Sequence, residues 1–297
     1  MQDHPAFEQM AATLEASGRY KILRRLIPRP IATAPVNPAD RIGIILDVET
    51  TGLDHTRDEV VELGMVRFSY SEADVVTGIT GTFQAFNEPS VPIPSEITSL
   101  TGITNEMVAG HRIEEAAVEE FVRPANVIIA HHSDFDRKFA ECLNPAFARK
   151  PWACSMSEVD WRKYGFAGAN LGYLLAGCGL FHDAHRAVDD CHAVLEILAK
   201  ALPGAAATAL AALLARARQR SFRIWAEQSP FDLKDVLKKR GYRWSDGSDG
   251  ATRSWYIDVA EDEHTAEIEF LRTEIYQREV DVRSRSLTAL ERFSARL

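Results

Sequence analysis

Residues Ile42 to Glu49 constrain the fold more than any other stretch of the chain. Successive side chains of a strand point to opposite faces, so Ile42, Ile44, Leu46 and Val48 line one face while Ile45, Asp47 and Glu49 line the other. Apolar residues on both faces mark an interior strand, covered on each side. Asp47 and Glu49 then lie about 7 Å apart at their Cα atoms. Two carboxylates so placed repel each other and lose hydration, and a hard divalent cation compensates both costs. The same pair closing a strand end in solvent, where it caps the next turn, would need no cation.

Two later segments bear on that choice. In a helix running from about residue 134, Asp136 shares its stripe with Phe139, Ala140 and Leu143, so it points inward. Asp134 shares a solvated stripe with Arg137, Lys138 and Glu141, as suits an N-cap or first-turn acid. The same test on a helix from Ala187 turns Asp190 inward with Ala187, Val194 and Ile197, and Asp189 outward with His192 and Glu196. His185 precedes that helix on a loop. A loop histidine near buried acids suits a base that moves in and out of a site.

Around these motifs the pattern predicts a domain. Residues 1–40 read as a helical extension with Leu14, Tyr20, Leu23 and Leu26 as docking points, and Pro28–Pro38 as a linker. Strands are expected at Ile42–Asp47, Val60–Tyr70 and Val75–Phe86 as an antiparallel meander, and a buried strand at Val127–Ala130. Helices are expected at Ile113–Val122, Asp134–Cys142, Ser155–Tyr164, Leu171–Ala176 and Ala187–Lys200. A meander followed by strand–helix alternation predicts an α/β domain, a mixed sheet with helices on both faces. Leu202-Pro203-Gly204 marks a boundary, giving a domain over 41–201 and a small C-terminal α+β unit over 202–297. That unit carries an alanine-rich helix beyond Gly204, a helix at Phe231–Lys239, a Gly-Ser-rich turn at 246–250, a strand at Ser254–Val259 and a helical region from Glu263.

Three motifs carry a family resemblance. The run Asp47-Val48-Glu49-Thr50-Thr51-Gly52-Leu53, the pair Phe135-Asp136 after a strand, and His185-x-Ala187-x-x-Asp190 resemble those of the DnaQ-like DEDDh 3′–5′ exonucleases. These are relatives of the DNA polymerase III epsilon proofreading subunit. The stretch Pro92-Ile93-Pro94 and Leu100 to Val108 also resembles the family between its first two motifs, and the likeness covers about residues 41–200. His132 stands where the family commonly has Asn, which bears on loop contacts rather than on the acids. The resemblance implies a ribonuclease H-like five-stranded mixed sheet. It implies that Asp47, Glu49, Asp136 and Asp190 hold two Mg²⁺ or Mn²⁺ ions about 4 Å apart, with His185 as the base. It assigns Glu49 and the backbone near Thr50, with Thr51 and Gly52, to the terminal 3′-OH, and Leu53 and Phe135 to wedging and stacking the last bases.

Charge adds a constraint on partners. The chain has 34 Lys+Arg against 43 Asp+Glu, a net of −9, which excludes a protein that coats nucleic acid through bulk positive charge. Residues 41–200 hold 13 basic and 24 acidic side chains, so the deficit lies in the segment of the proposed ligands, much of it on solvent faces such as 114–120. Between Arg216 and Arg243, by contrast, 9 basic residues face 3 acidic ones with aromatics interleaved. Lys234, Lys238, Lys239, Arg240 and Arg243 are candidates for tracking a nucleic-acid backbone, while Trp225, Phe231, Leu233, Val236 and Leu237 read as a small core. Gln228-Ser229-Pro230-Phe231 resembles, faintly, a sliding-clamp peptide.

Four cysteines without a C-x-x-C pair, no signal-peptide pattern and no apolar stretch long enough for a bilayer fit a soluble cytoplasmic protein. The leading expectation is a metal-dependent exonuclease on single-stranded DNA 3′ ends, working in proofreading, repair or trimming, with a polymerase or clamp as partner. An exoribonuclease of the ribonuclease T or oligoribonuclease type, a non-catalytic nuclease-like module, and a phosphatase-like enzyme on small nucleotides are the alternatives.

Overall fold

The computed structural model describes residues 5–247 and 252–296; most of the turn expected at 246–250 lies outside them. The apolar run at 41–50 extends into a ten-residue strand at the centre of a five-stranded sheet. In chain order the first elements are α1 (Pro5–Ala16), β1 (Arg24–Arg25), β2 (Arg41–Thr50), β3 (Val60–Tyr70) and β4 (Val76–Phe86). Next come α2 (Ser95–Thr101), α3 (Asn105–Val108), α4 (Glu115–Val122), β5 (Val127–Ala130), α5 (Ser133–Leu143) and β6 (Trp152–Cys154). The domain continues through α6 (Leu171–Gly177), β7 (Leu180–Phe181), α7 (Ala187–Ala199) and α8 (Ala209–Ala217).

The sheet order is β4-β3-β2-β5-β6, with β2, β3 and β4 antiparallel and β2, β5 and β6 parallel. Each face is covered, as the apolar run at β2 requires. Ile45, Val66 and Ile129 pack with α6, α7 and α8, while Ile44, Leu46, Met65 and Ile128 pack with α4 and α5. This is the mixed, doubly covered α/β sheet expected from the pattern, with β6 as a strand the pattern did not show. No helix among the described residues is long and apolar enough to cross a membrane. All four cysteines are unbonded thiols.

Beyond α8 lies a four-stranded antiparallel sheet, ordered β11-β8-β10-β9, formed by β8 (Ser221–Ala226), β9 (Arg243–Ser245), β10 (Ser254–Ala260) and β11 (Ser284–Leu287). Helices α9 (Lys234–Arg240) and α10 (His264–Phe270), the latter continued by a π-helical turn over Leu271–Tyr276, belong to the same unit. Ile224, Ala226, Leu237, Val259, Leu271 and Ile275 form its core. Leu237 and Leu233 take the core places expected of them, but Phe231 is 76% exposed and Val236 43%.

Three other expectations change. Residues 155–164 form turns, not a helix, because side chains capture the local backbone: Glu158 accepts the Cys154 amide at 2.8 Å and Trp161 Nε1 donates to the Ser155 carbonyl at 2.7 Å. The packing changes hands later than 201–205. Leu202, Leu210, Leu213 and Leu214 belong to the core under α7, so the first unit extends through α8. Finally, Leu14 and Tyr20 stay exposed, and only Leu26 packs on the core. The extension is held instead by β1 pairing with β7 and by Arg25–Asp183 and Arg29–Glu196 ion pairs at 2.6 and 2.7 Å.

Candidate active site

The parallel strands β2 and β5 end at the same edge of the sheet, where α5 begins. The crevice outside the carboxyl ends of parallel strands is where open α/β sheets hold ligands. Asp47 and Glu49, on one face of β2, meet Asp190 of α7 there. One carboxylate oxygen from each lies within 4.8 Å of the others. A β-bulge after Glu49 ends the regular pairing of β2 with β3 and starts the turn carrying Thr50 to Leu53.

The helix bearing Asp190 is brought close by Gly64 on β3. A Cβ at Gly64 would lie 2.4 Å from the Ala187 carbonyl carbon, so only glycine admits the first turn of α7 here. Asp190 is then fixed from behind. Its Oδ2 accepts the amides of His185 at 2.8 Å and Arg186 at 3.1 Å, and its Oδ1 lies 2.7 Å from His182 Nε2. Asp136, in the first turn of α5, is 3% exposed and accepts the Val48 amide at 3.4 Å. It stands outside the close trio, yet near enough for its charge to act on Asp47.

Burial and mutual repulsion set the electrostatics. Loss of hydration, then the charges of Asp136, Asp190, Glu49 and Glu62, pushes the Asp47 carboxyl well above its ordinary range. Burial first, and then Asp190, raises Glu49 to about 8. Burial likewise raises Asp136 to about 7, against the hydrogen bond from Val48. Carboxylates that crowd together and resist ionisation are the donor set of a hard divalent cation, whose charge would reverse both penalties. The residues therefore fit a metal centre.

A prediction follows from these shifts. Unfolded carboxyls titrate near 4, so between about pH 4 and pH 8 these three acids hold more protons in the folded, metal-free chain than in the unfolded one. Their contribution to stability must then fall as pH rises through that window. Melting in EDTA should come at a lower temperature at about pH 8 than at about pH 5, and Mg²⁺ or Mn²⁺ should recover most of the difference. A midpoint indifferent to pH and to metal would contradict the electrostatics.

The other sequence candidates are placed as follows. His185 is exposed, with a left-handed backbone at φ 67°, and its ring makes no bond to the acids; the backbone amide alone reaches Asp190. The Thr50 hydroxyl donates to the Gly52 carbonyl at 2.6 Å, and Thr51 Oγ1 accepts the Glu59 amide at 2.9 Å, which makes a firm turn presenting Leu53 at 85% exposure. Phe135 stacks on His132, with centroids 6.1 Å apart and planes 8° from parallel. Among the basic candidates, Arg240 pairs with Glu267 at 2.9 Å, and Arg243 pairs with Asp134 at 2.9 Å, bridging the two units. Lys234 lies 3.9 Å over the Phe231 ring and Lys238 5.9 Å from that of Trp255, while Lys239 is exposed.

Two residues at the site escaped the sequence reading. Glu62, in register with Glu49 and fully buried, accepts the Ala187 amide at 3.2 Å and pairs with Arg186 at 3.1 Å. It thereby anchors the first turn of α7. A lone acid within Val60-Val61-Glu62-Leu63-Gly64-Met65 was the available signal. His182 had none beyond its closeness to His185.

Comparison with known proteins gives a consistent picture. An exonuclease family model matches residues 44–198. The PolC-type DNA polymerase III of Caldanaerobacter subterraneus subsp. tengcongensis is 30% identical over 166 residues, 54% of this chain and 11% of that protein. DNA polymerase III subunit epsilon of Aquifex aeolicus is 29% identical over 179 residues, 56% of this chain and 83% of that protein. The chain thus spans only about a tenth of the length of its PolC-type relatives. Among solved structures, the zinc-bound E. coli ExoI–ssDNA complex aligns with 79% of this chain and 71% of its own at TM-score 0.50 and 14% identity, a likeness of fold.

Proposed function

Because the chain belongs to the exonuclease family matched by residues 44–198, we propose that it removes nucleotides from the 3′ end of single-stranded DNA by a two-metal, DEDDh-type hydrolysis. One observation carries the reading: Asp47, Glu49 and Asp190 converge with ligand atoms within 4.8 Å at the end of the central strand. Asp47, Glu49, Asp136 and Asp190 would hold the two Mg²⁺ or Mn²⁺ ions, and ions so bound lower the pKa of an attacking water and offset charge on the leaving 3′ oxygen. His185 takes the proton of that water. Its place on an exposed, left-handed loop residue beside Asp190 supports the role. Glu49, Thr50, Thr51 and Gly52 are the proposed contacts of the terminal nucleotide, with Leu53 and Phe135 against its bases. Lys234, Lys238 and Lys239 are proposed as outlying phosphate contacts. Proofreading, repair or trimming beside a polymerase is the proposed setting, in the cytoplasm, after the polymerase names of the relatives.

The test uses the full chain on 3′-labelled and 5′-labelled single-stranded DNA and RNA, with Mg²⁺, Mn²⁺ or EDTA. Stepwise shortening from the 3′ end of DNA, dependent on metal, is expected; preference for RNA would select the exoribonuclease alternative. His185→Ala should lose about 10²–10⁴-fold in kcat, the span of a general base, while Mn²⁺ affinity stays within experimental error. No metal-dependent shortening of either polymer would sink the proposal.

A further inference from the structure

Between the two units lies a cavity of about 330 Å³, walled by Glu158 after β6, Arg216 at the end of α8, Ser221 at the start of β8 and Arg292 from the C-terminal segment. Arg292 is 3% exposed and Ser221 1%. The guanidinium of Arg292 is only partly matched: Nη2 donates to the Ala217 carbonyl, and Nη1 lies 2.9 Å from Glu158 Oε1 but out of line for a hydrogen bond. Its Nε, Arg216 Nη1 and Ser221 Oγ have no acceptor or donor among the described residues.

The cavity is lined by three arginines, Arg216, Arg243 and Arg292, and by three acids, Asp134, Glu158 and Asp258. Arg243 pairs with Asp134 and Asp258, and Lys138 and Arg223 meet the same two acids from outside the lining, which leaves Arg216 and Arg292 to share the carboxylate of Glu158. Burial, with a smaller push from Arg216, holds the Arg292 guanidinium below its ordinary value against the opposing charges of Glu158 and Asp258. Buried donors without acceptors, beside two guanidiniums that share one carboxylate, describe a site for an oxyanion. Three donors from three elements match an anion with three or more acceptor oxygens better than a carboxylate with two. The size lies at the lower end of small-ligand pockets, roughly 300–1,000 Å³.

We propose that this cavity between the units binds a phosphoryl group through Arg216, Ser221 and Arg292. Free phosphates, including a released mononucleotide, and the backbone of a bound strand share that chemistry. The site stands apart from the acids of β2 and requires no hydrolysis.

Inorganic phosphate, deoxycytidine 5′-monophosphate and a single-stranded oligodeoxynucleotide are titrated calorimetrically into the full chain in EDTA. Arg216→Gln and Ser221→Ala are compared with wild type; both leave the Arg292–Ala217 bond in place, and Ser221→Ala carries the test should Arg216→Gln melt early. Loss of charge-assisted bonds should weaken phosphate and the monophosphate about tenfold in Arg216→Gln and less in Ser221→Ala. That result assigns the site to free phosphates, and a loss confined to the oligonucleotide assigns it to strand backbone. No binding of any probe, or equal affinities in wild type and both variants, overturns the proposal. An inactive chain that still binds phosphate through Arg216 would sink the nuclease reading and leave this site standing.

Discussion

Asp47→Asn and Asp136→Asn should each lose at least about 10³-fold in hydrolysis, since a misplaced metal forfeits several kcal/mol of charge stabilisation. Both should nevertheless melt above wild type in EDTA at about pH 8, where each removes a charge the fold resists. The physical cause is already visible in the two carboxyls, which burial and neighbouring acids hold above their ordinary range. In Asp136→Asn the amide oxygen can still accept the Val48 amide that Asp136 Oδ1 accepts now. Lost activity with raised stability is the signature of a group kept for chemistry. Lost activity with a lowered midpoint would make the same acids structural.

Arg137→Ala should cost about 3–5 kcal/mol, the penalty of breaking a buried pair from one side. Arg137 is fully buried on α5, pairs with Glu141 at 2.7 Å and lies 5.5 Å from the Trp152 ring centroid. Its guanidinium also donates to the carbonyls of Arg292 at 2.6 Å, Leu290 at 2.7 Å and Ala289 at 3.2 Å. Truncation orphans those carbonyls and frees the C-terminal segment, so limited proteolysis should cut near 288–296 faster than in wild type. For a domain of this size the melting midpoint should drop by roughly 10 °C. Denaturant unfolding checks the figure, and a change below about 1 kcal/mol would mean that the segment is held by other contacts.

The site was legible where periodicity speaks plainly. Two carboxylates on an otherwise apolar strand, and one inward acid on each of two helices, could be assigned to faces by counting; Asp136 and Asp190 are buried while Asp189 is exposed. Counting failed for Arg137, expected on a solvated stripe but fully buried because the C-terminal segment, 153 to 155 residues further along the chain, covers that stripe. The meander over 60–86 was equally clear, because turn residues separate its long strands. Glu62 was hidden because a strand covered on both faces has no alternation to break. β6, β9 and β11 are three or four residues long, shorter than any pattern of period two can establish. The turns at 155–164 defeated the helix expectation through individual side-chain bonds, which periodicity does not record. Arg243 read as a candidate backbone contact because its partner Asp134 lies 109 residues away in the chain.

The clasp between Arg137 and the C-terminal segment also has a meaning in time. The Trp152 amide of β6, on the outer edge of the five-stranded sheet, donates to the Ala289 carbonyl at 2.7 Å, so that edge is blunted by late sequence. Arg137 and Arg292 are separated by 155 residues. At ribosomal speeds of about 5–20 residues per second, β6 waits on the order of ten seconds for its cover. Throughout that interval the nascent sheet offers unpaired backbone to its neighbours on the polysome. Aggregation during synthesis, more than unfolding afterwards, is where a lesion in the last dozen residues would first be felt.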